Sequence, residues 1–341
     1  MKRRHINVPV FVPHLGCPND CVFCNQKKIT GCDRYDFEQT REQIRSQLTT
    51  ADPVNDDIQI AFFGGSFTGI ERKSMISMLK VANEFIDAGL VSSIRISTRP
   101  DYIDNEILQI LRNYNVTDIE LGIQSMDDLV LRGSERGHSA YDSMKAAKMI
   151  TEMGFNFVGQ MMVGLPYSDL DMELYTARSI CKMNACAVRI YPTLVFSNTK
   201  LCQMYENGTY TPLSIEEAAF RCAKLLDVFD EFSIPVIRLG LCETDNLRTD
   251  GSIVAGPYHP AIGELSENKY YLHKIEDLIG LQNSDINDKS LTVYVSKGSL
   301  SKAIGQKKSN KLYLQSNYSF TSIKFAEDSS LSGRNVRIEV D

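Results

Sequence analysis

Short apolar runs alternate with helical patterns along most of the chain, and this alternation limits the possible folds more than any other feature. The apolar runs have the length and composition of buried strands, and they lie at 7–12, 58–63, 93–98, 118–123, 156–163 and 186–195, with a further run at 234–242. Helical patterns lie between them, at 36–49, 71–87, 103–113, 140–153, 169–182 and 214–232. Repeated βα units imply a parallel sheet with right-handed crossovers. The sequence therefore predicts an α/β fold, a partial (βα)6 barrel, with an open doubly wound sheet as the alternative.

Short motifs follow five of the predicted strands. HLGCPNDCVFC follows the first strand, GGSFTG the second, STRPD the third and IQS the fourth, while VGLP ends the fifth. In parallel α/β folds the carboxyl ends of the strands lie along one rim, which carries the functional loops. We therefore expect one functional site at this rim, assembled from several loops.

Three cysteines stand close together in the first motif, at Cys17, Cys21 and Cys24, and the chain has nine cysteines in all, so complete disulfide pairing is impossible. Three thiolates leave one iron of a [4Fe–4S] cluster without a protein ligand, because such clusters normally take four. The open iron can bind the amino and carboxylate groups of S-adenosylmethionine (SAM). Reductive cleavage of SAM then gives a 5′-deoxyadenosyl radical, which is chemistry of the cofactors. The alternative is a zinc site with Cys32 as the fourth ligand, although structural zinc usually takes two close pairs.

The cysteine motif followed by a βα pattern resembles the radical SAM superfamily. Five segments are similar to the radical domain of the Elongator catalytic subunit and its shorter bacterial relatives: GCPNDCVFCNQKKITG, GGSFTG, STRPDY, LGIQS and AGPYHPAIGEL. The resemblance implies a radical SAM barrel, a [4Fe–4S] cluster and SAM as cofactors, an external electron donor of the flavodoxin or ferredoxin type, and RNA, such as tRNA, as substrate. The chain after the barrel is too short for Elongator's acetyltransferase domain, so we expect that activity to be absent.

The glycine-rich motif is the first of the expected SAM contacts. Gly64 and Gly65, followed by Ser66, resemble the glycine pair that bonds the SAM amino group, and glycines let a ligand approach the backbone closely. Taken alone, the pair indicates only a tight turn. Phe23, directly before the third clustered cysteine, is expected to pack beside the adenine.

The remaining expected SAM contacts follow from a pattern shared with oxygen-independent coproporphyrinogen oxidases. Gln124 and Arg136 match positions that contact the SAM ribose and carboxylate there, and a guanidinium fork suits a carboxylate. Each residue taken alone has a plainer interpretation, a strand-end hydrogen bond or a surface ion pair. Ser97 and Gln160 stand where those relatives usually have Glu and Asp, so the expected ribose contacts at these two positions differ from the family pattern.

The C-terminal part of the chain has its own character. We divide the chain into a barrel at 1–243, a connector and helix at 244–285, and a small αβ appendage at 286–341. Residues 289–326 contain seven lysines and no Asp or Glu. The segment SLSKAIGQKKSNKLYLQ resembles the helix–loop–helix of a KH domain, in which a GXXG loop grips the nucleic-acid backbone. Candidate RNA contacts are Lys302, Lys307, Lys308 and Lys311; the alternative is a solvated lysine face on a small αβ appendage that covers the barrel.

Composition limits the remaining function classes. A net charge of −6 argues against extensive coating of nucleic acid, and no stretch approaches the roughly 18 uncharged apolar residues of a membrane span. We therefore expect a cytoplasmic enzyme without membrane contact. Three hypotheses stay open at this point: an RNA-modifying radical SAM enzyme, a radical SAM oxidoreductase of a small molecule such as a porphyrinogen, and a zinc-stabilised RNA-binding module.

Overall fold

The computed structural model describes residues 4–12, 21–24, 36–241, 252–282 and 286–341. Within these ranges the strands are β1 Arg4–Val12, β2 Asp56–Gly64, β3 Ser93–Thr98, β4 Val116–Gln124, β5 Asn156–Val163, β6 Ala187–Pro192, β7 Val195–Phe196, β8 Val236–Leu239, β9 Ile253–Ala255, β10 Ser290–Val295, β11 Ser322–Glu327 and β12 Val336–Val340. The α-helices there are α1 Phe37–Leu48, α2 Arg72–Asp87, α3 Asn105–Asn113, α4 Asp128–Gly133, α5 Ala140–Glu152, α6 Leu170–Lys182, α7 Lys200–Glu206, α8 Ile215–Glu231, α9 Ile262–Gly280, α10 Leu300–Ile304 and α11 Ser309–Asn317.

The main sheet has seven strands in the order β1-β2-β3-β4-β5-β6-β8, and each neighbouring pair is parallel. The spatial order follows the order along the chain. An open doubly wound sheet instead reverses its strand order partway across. The predicted βα units are therefore confirmed, and the reversal that the alternative fold requires does not occur in this sheet.

The sheet is curled into a partial barrel. The guanidinium carbon of Arg189 on β6 lies 5.2 Å from the ring centroid of Phe63 on β2. Four strand spacings separate β2 from β6, which would amount to roughly 19 Å in a flat sheet. One arginine side chain can cross that interval only if the sheet bends around it. The contact therefore places Arg189 and Phe63 on the concave face.

The two faces of the sheet differ in chemistry. Ile119 and Leu121 of β4 are fully buried in the main hydrophobic core together with helix residues such as Leu108. Asp118 and Glu120 alternate with them along the strand and so project from the opposite, concave face. The apolar face holds the helices against the sheet, and the concave face is free to carry polar side chains.

Residues 286–341 form a smaller sheet with two helices. In this sheet β10 lies between β11, to which it is parallel, and β12, to which it is antiparallel. Helices α10 and α11 connect β10 to β11, which gives the helix–loop–helix order implied by the KH resemblance. The core of this domain contains Leu291, Val293 and Ile323 and continues into Tyr271 of α9. The small C-terminal αβ appendage is therefore present and is packed on the barrel's last long helix.

Local differences from the predictions have short-range causes. The sixth strand ends at Pro192, which has no N–H to extend the ladder, and the chain continues into the two-residue strand β7, paired with β9. Helix α9, at Ile262–Gly280, lies within the region 244–285 that was expected to hold a connector and a helix. Helices α4 and α7 were not predicted, because six or seven residues are too short for a full amphipathic repeat. Of the helices in the described ranges, none is long and apolar enough to cross a membrane.

Candidate functional site

The turn at residues 21–24 is fixed at the carboxyl rim by backbone hydrogen bonds. The Val22 N–H donates to the Ser134 carbonyl at 3.2 Å, and the Leu201 N–H donates to the Val22 carbonyl at 2.8 Å. The Cys24 N–H donates to the Cys21 carbonyl at 2.9 Å, so the two cysteines belong to one turn. The third and fourth cysteines considered above, Cys17 and Cys32, lie outside the described residues. Two of the three expected cluster ligands are therefore held in one turn at the rim.

Phe23 contributes to the apolar packing of this turn. Val22 belongs to a small apolar cluster with Val195 and Leu201, and Phe23 packs against it. The cluster joins the cysteine turn to β7 and α7. This packing fixes the turn; the predicted contact between Phe23 and the adenine ring stays a prediction.

The glycine motif ends β2 at the same rim. Gly64 is the last residue of the strand and has φ 115°, a conformation that side chains rarely adopt. Gly65 follows it, and Ser66 is buried and accepts from the Gly69 N–H through its carbonyl at 3.0 Å. The motif therefore makes a tight turn at the rim, where the expected ligand would approach.

Gln124 and Arg136 are brought together at the end of β4. An Arg136 Nη1–H donates to the Cys21 sulfur at 3.2 Å, and an Nη2–H donates to the Gly122 carbonyl. A Cβ at Gly122 would lie 3.0 Å from the Gln124 amide nitrogen and 3.2 Å from Arg136 Nη2. Gln124 has φ 67°, which turns the chain sharply as the strand ends. Gly122 thus leaves room for both side chains beside the cysteine turn.

Several buried polar atoms at this rim have no hydrogen-bond partner among the described residues. They are Gln124 Oε1, Ser134 Oγ, Arg136 Nε and His138 Nδ1. Burying such groups unpaired is unfavourable, so native proteins usually pair them with other protein groups, with ordered water or with a bound ligand. Burial and the nearby Arg136 charge also lower the pKa of His138 to about 4, so this imidazole is neutral at pH 7.

Ser97 and Gln160 converge on a carboxylate that sequence reasoning did not identify. The Ser97 hydroxyl donates to Glu120 Oε2 at 3.2 Å, and the Gln160 amide donates to the same oxygen at 2.7 Å. The family pattern has carboxylates at these two positions. In this chain a single carboxylate on the strand between them takes both hydrogen bonds.

Glu120 is the centre of a buried charge network on the concave face. It is fully buried, and its Oε1 accepts from Arg95 Nη1 at 2.9 Å and from Arg189 Nε at 3.1 Å. Arg95 also donates to Asp118 at 3.0 Å and to Gln59 at 2.6 Å. Two arginines and two carboxylates balance in charge. This network spans the concave face of the sheet from β2 to β6, below the rim.

The rim residues fit the cofactors that the sequence suggests. Cys21 and Cys24 supply soft sulfur donors in one turn, and Gln124 and Arg136 present unpaired polar atoms beside them. Within the described ranges, no three His, Cys, Asp or Glu side chains are grouped as metal ligands. That result is compatible with a cluster whose third ligand is Cys17, since Cys17 lies outside those ranges. A cluster and SAM would be held here by the cysteines, the glycine turn, Gln124 and Arg136.

The candidate RNA-binding lysines are not equivalent. Lys302 forms a 2.6 Å ion pair with Glu267, so its charge is already compensated. Lys307 and Lys308 are exposed and have φ values of 53° and 64°, shortly after Gly305 with φ 84°. Lys311 is half-buried. The charges best placed for an external partner are therefore those of Lys307 and Lys308.

Comparison with protein families gives two matches on this chain. Residues 11–177 match the family described as the radical SAM superfamily, and residues 186–274 match the radical SAM C-terminal domain. The two matches together extend from β1 to α9, and so cover the barrel and the rim site.

Two curated relatives and one solved structure are similar to this chain. An uncharacterized protein of Methanocaldococcus jannaschii is 30% identical over 223 residues, covering 62% of this chain and 68% of that protein. The tRNA uridine(34) acetyltransferase of the same organism is 30% identical over 205 residues, covering 53% of this chain and 37% of the enzyme. The solved structure of Methanocaldococcus infernus Elp3 with an N-terminal deletion has a TM-score of 0.61 at 23% identity, covering 83% of this chain and 65% of that one.

This chain matches only part of the length of its named relatives. The chain spans between 37% and 52% of the length of the tRNA uridine(34) acetyltransferases it matches. The activity of those whole enzymes therefore does not transfer to this chain through the matched region alone.

Proposed function

The chain belongs to the radical SAM superfamily of enzymes, and from this premise we propose that Cys17, Cys21 and Cys24 hold a [4Fe–4S] cluster. At this cluster SAM is reductively cleaved, and the resulting radical modifies RNA. Together, the two cofactors supply a 5′-deoxyadenosyl radical, and an external flavodoxin- or ferredoxin-type protein supplies the electron. The observation that carries the proposal is the convergence of Cys21, Gln124 and Arg136, with buried polar atoms unpaired, at one carboxyl rim.

The chain's own residues have separable roles at this rim. The cysteine turn binds and orients the cluster, and its hydrogen bonds to Ser134 and Leu201 keep it in register with α4 and α7. Gly64 and Gly65 let the SAM amino group approach the backbone. Gln124 Oε1 is a free acceptor suited to a ribose hydroxyl. Below the rim, the Glu120 network occupies the concave face of the sheet, so we expect the substrate to approach from the rim.

RNA is the substrate class that two observations favour. Relatives named tRNA uridine(34) acetyltransferase match between 53% and 62% of this chain. Lys307 and Lys308 are exposed on a loop next to Asn310. The Asn310 side-chain amide anchors this loop by donating to the carbonyls of Asn268 and Ala303. Phosphate contacts by such a loop would position an RNA relative to α9 and the barrel.

The test is anaerobic incubation of the reduced, reconstituted protein with SAM, an electron donor and total cellular RNA, followed by isotope-tracked nucleoside analysis. A new modified nucleoside that depends on Cys21 is the expected result. SAM cleavage with no nucleoside change in any RNA would instead favour a small-molecule substrate. The double variant Lys307→Ala/Lys308→Ala should weaken RNA binding and flatten its salt dependence by about one unit for each phosphate that the loop no longer binds.

A further inference from the structure

Arg136 is a buried cation without an acidic partner among the described residues. Only 6% of its surface is exposed, and those residues place only Cys21 Sγ and the Gly122 carbonyl in hydrogen-bond contact with its guanidinium. The adjacent Glu135 is turned to the surface, where it pairs with Lys200. His138, two residues further on, is neutral at pH 7. A buried guanidinium normally requires a compensating negative charge, so we expect that charge to come from something held at this site.

The sulfur of Cys21 is the atom that the guanidinium already reaches. The N–H···S distance of 3.2 Å is a direct hydrogen bond, and it joins residues 115 positions apart in sequence. The position of the donor is fixed by the second bond to Gly122 and by the backbone bond between Val22 and Ser134. A thiolate bound to a cluster would carry the compensating negative charge that the described residues do not supply to Arg136.

We propose that Arg136 is a positioning residue of the iron–sulfur centre, which donates an N–H···S bond to the Cys21 thiolate and raises the reduction potential of the cluster before SAM binds. The inference rests on the proposed function and adds to it. A reduced cluster carries one more negative charge than the oxidised one, so a nearby cation stabilises the reduced form. The unused Nε–H leaves the same guanidinium able to meet a SAM carboxylate as well.

Two variants and one control separate this role from carboxylate binding. Arg136→Gln removes the charge. Gly122→Ala keeps the charge but introduces a methyl 3.2 Å from Nη2, which displaces the guanidinium. Arg132→Gln removes an exposed charge four residues earlier, on α4, and is the matched control. The midpoint potential of each reconstituted protein is measured without SAM, by redox titration followed by electron paramagnetic resonance, and SAM affinity is measured separately.

We expect Arg136→Gln to shift the midpoint potential to more negative values, Gly122→Ala to shift it in the same direction by less, and Arg132→Gln to leave it at the parent value. Unchanged potentials in both test variants, with or without weaker SAM binding, would overturn the proposal and leave Arg136 a carboxylate contact only. If Arg136→Gln holds no iron, the Gly122→Ala potential decides. A parent protein that binds no iron would be a failure of the proposed function itself, which is a different result.

Discussion

The rim and the interior of the same partial barrel handle buried polar groups in opposite ways. In the interior, both oxygens of Glu120 are paired, with Arg95 and Arg189 on one and with Ser97 and Gln160 on the other. At the rim, Gln124 Oε1 and other buried polar atoms have no partner among the described residues. A satisfied network stabilises a fold, whereas an unsatisfied one is stable only if something else supplies the missing bonds. The contrast supports the proposal that the rim holds a ligand, whereas the interior network is complete without one.

Replacing a cysteine of the rim is expected to have the largest effect of the changes considered, because it removes a cluster ligand without disturbing the interior. Cys21→Ala should lose the cluster iron completely, since a ligand is removed, while the barrel stays folded because its core lies elsewhere. Iron and inorganic sulfide analysis of anaerobically purified protein measures the loss. Cys32→Ala is the control and should retain the cluster. Loss of iron in Cys32→Ala would overturn the ligand assignment.

A change in the interior network should instead lower the stability of the fold. Glu120→Gln keeps the shape of the side chain but leaves Arg189 buried without its counter-charge, so the free energy of unfolding should fall by about 3–5 kcal/mol. Denaturant unfolding of the apoprotein measures it. Glu152→Gln, which removes one member of an exposed pair with Lys148, should change stability by less than about 0.5 kcal/mol. Equal effects of the two changes would mean that the interior network contributes no more than a surface pair.

A pH effect should sharpen the comparison at the rim. The pKa of His138 is lowered to about 4 in the folded protein, below its ordinary value near 6.5. The unfolded chain therefore binds more protons than the folded protein between these pH values. With respect to this histidine, the folded protein is most stable above about pH 6.5, and its stability falls as the pH drops towards 4. The loss should reach roughly 3 kcal/mol, at about 1.4 kcal/mol per pH unit. His138→Asn should flatten this slope in pH-dependent denaturant unfolding, whereas the exposed His5→Asn should keep it.

The smallest expected effect concerns the lysine loop. Lys307 and Lys308 have left-handed backbone conformations that side chains adopt reluctantly. Lys307→Gly with Lys308→Gly should therefore stabilise the protein by up to about 1 kcal/mol while weakening RNA binding, as measured by thermal unfolding and by RNA titration. Lys324→Ala, an exposed lysine on β11, is the charge control for binding. A double variant that binds RNA like the parent would identify the lysines as a solvated face.

The features that sequence predicted are the local ones. Strands β1 to β6 are visible because a buried parallel strand is a continuous apolar run, and the cysteine motif is visible because its members stand close together in the sequence. Glu120 and Arg189 form one ion pair across 69 positions of sequence, so no local pattern reveals it. The contact between Arg136 and Cys21 was missed for the same reason.

The most direct test of the central claim is the yield of 5′-deoxyadenosine from SAM by the reconstituted, dithionite-reduced protein, compared with that of Gly65→Val. The parent should hold roughly four irons per chain and release 5′-deoxyadenosine and methionine. Gly65→Val should retain the iron but release neither product, because its side chain blocks the approach of SAM to the backbone at the rim. Bound zinc without iron, or iron with no SAM cleavage in the parent, would contradict the account.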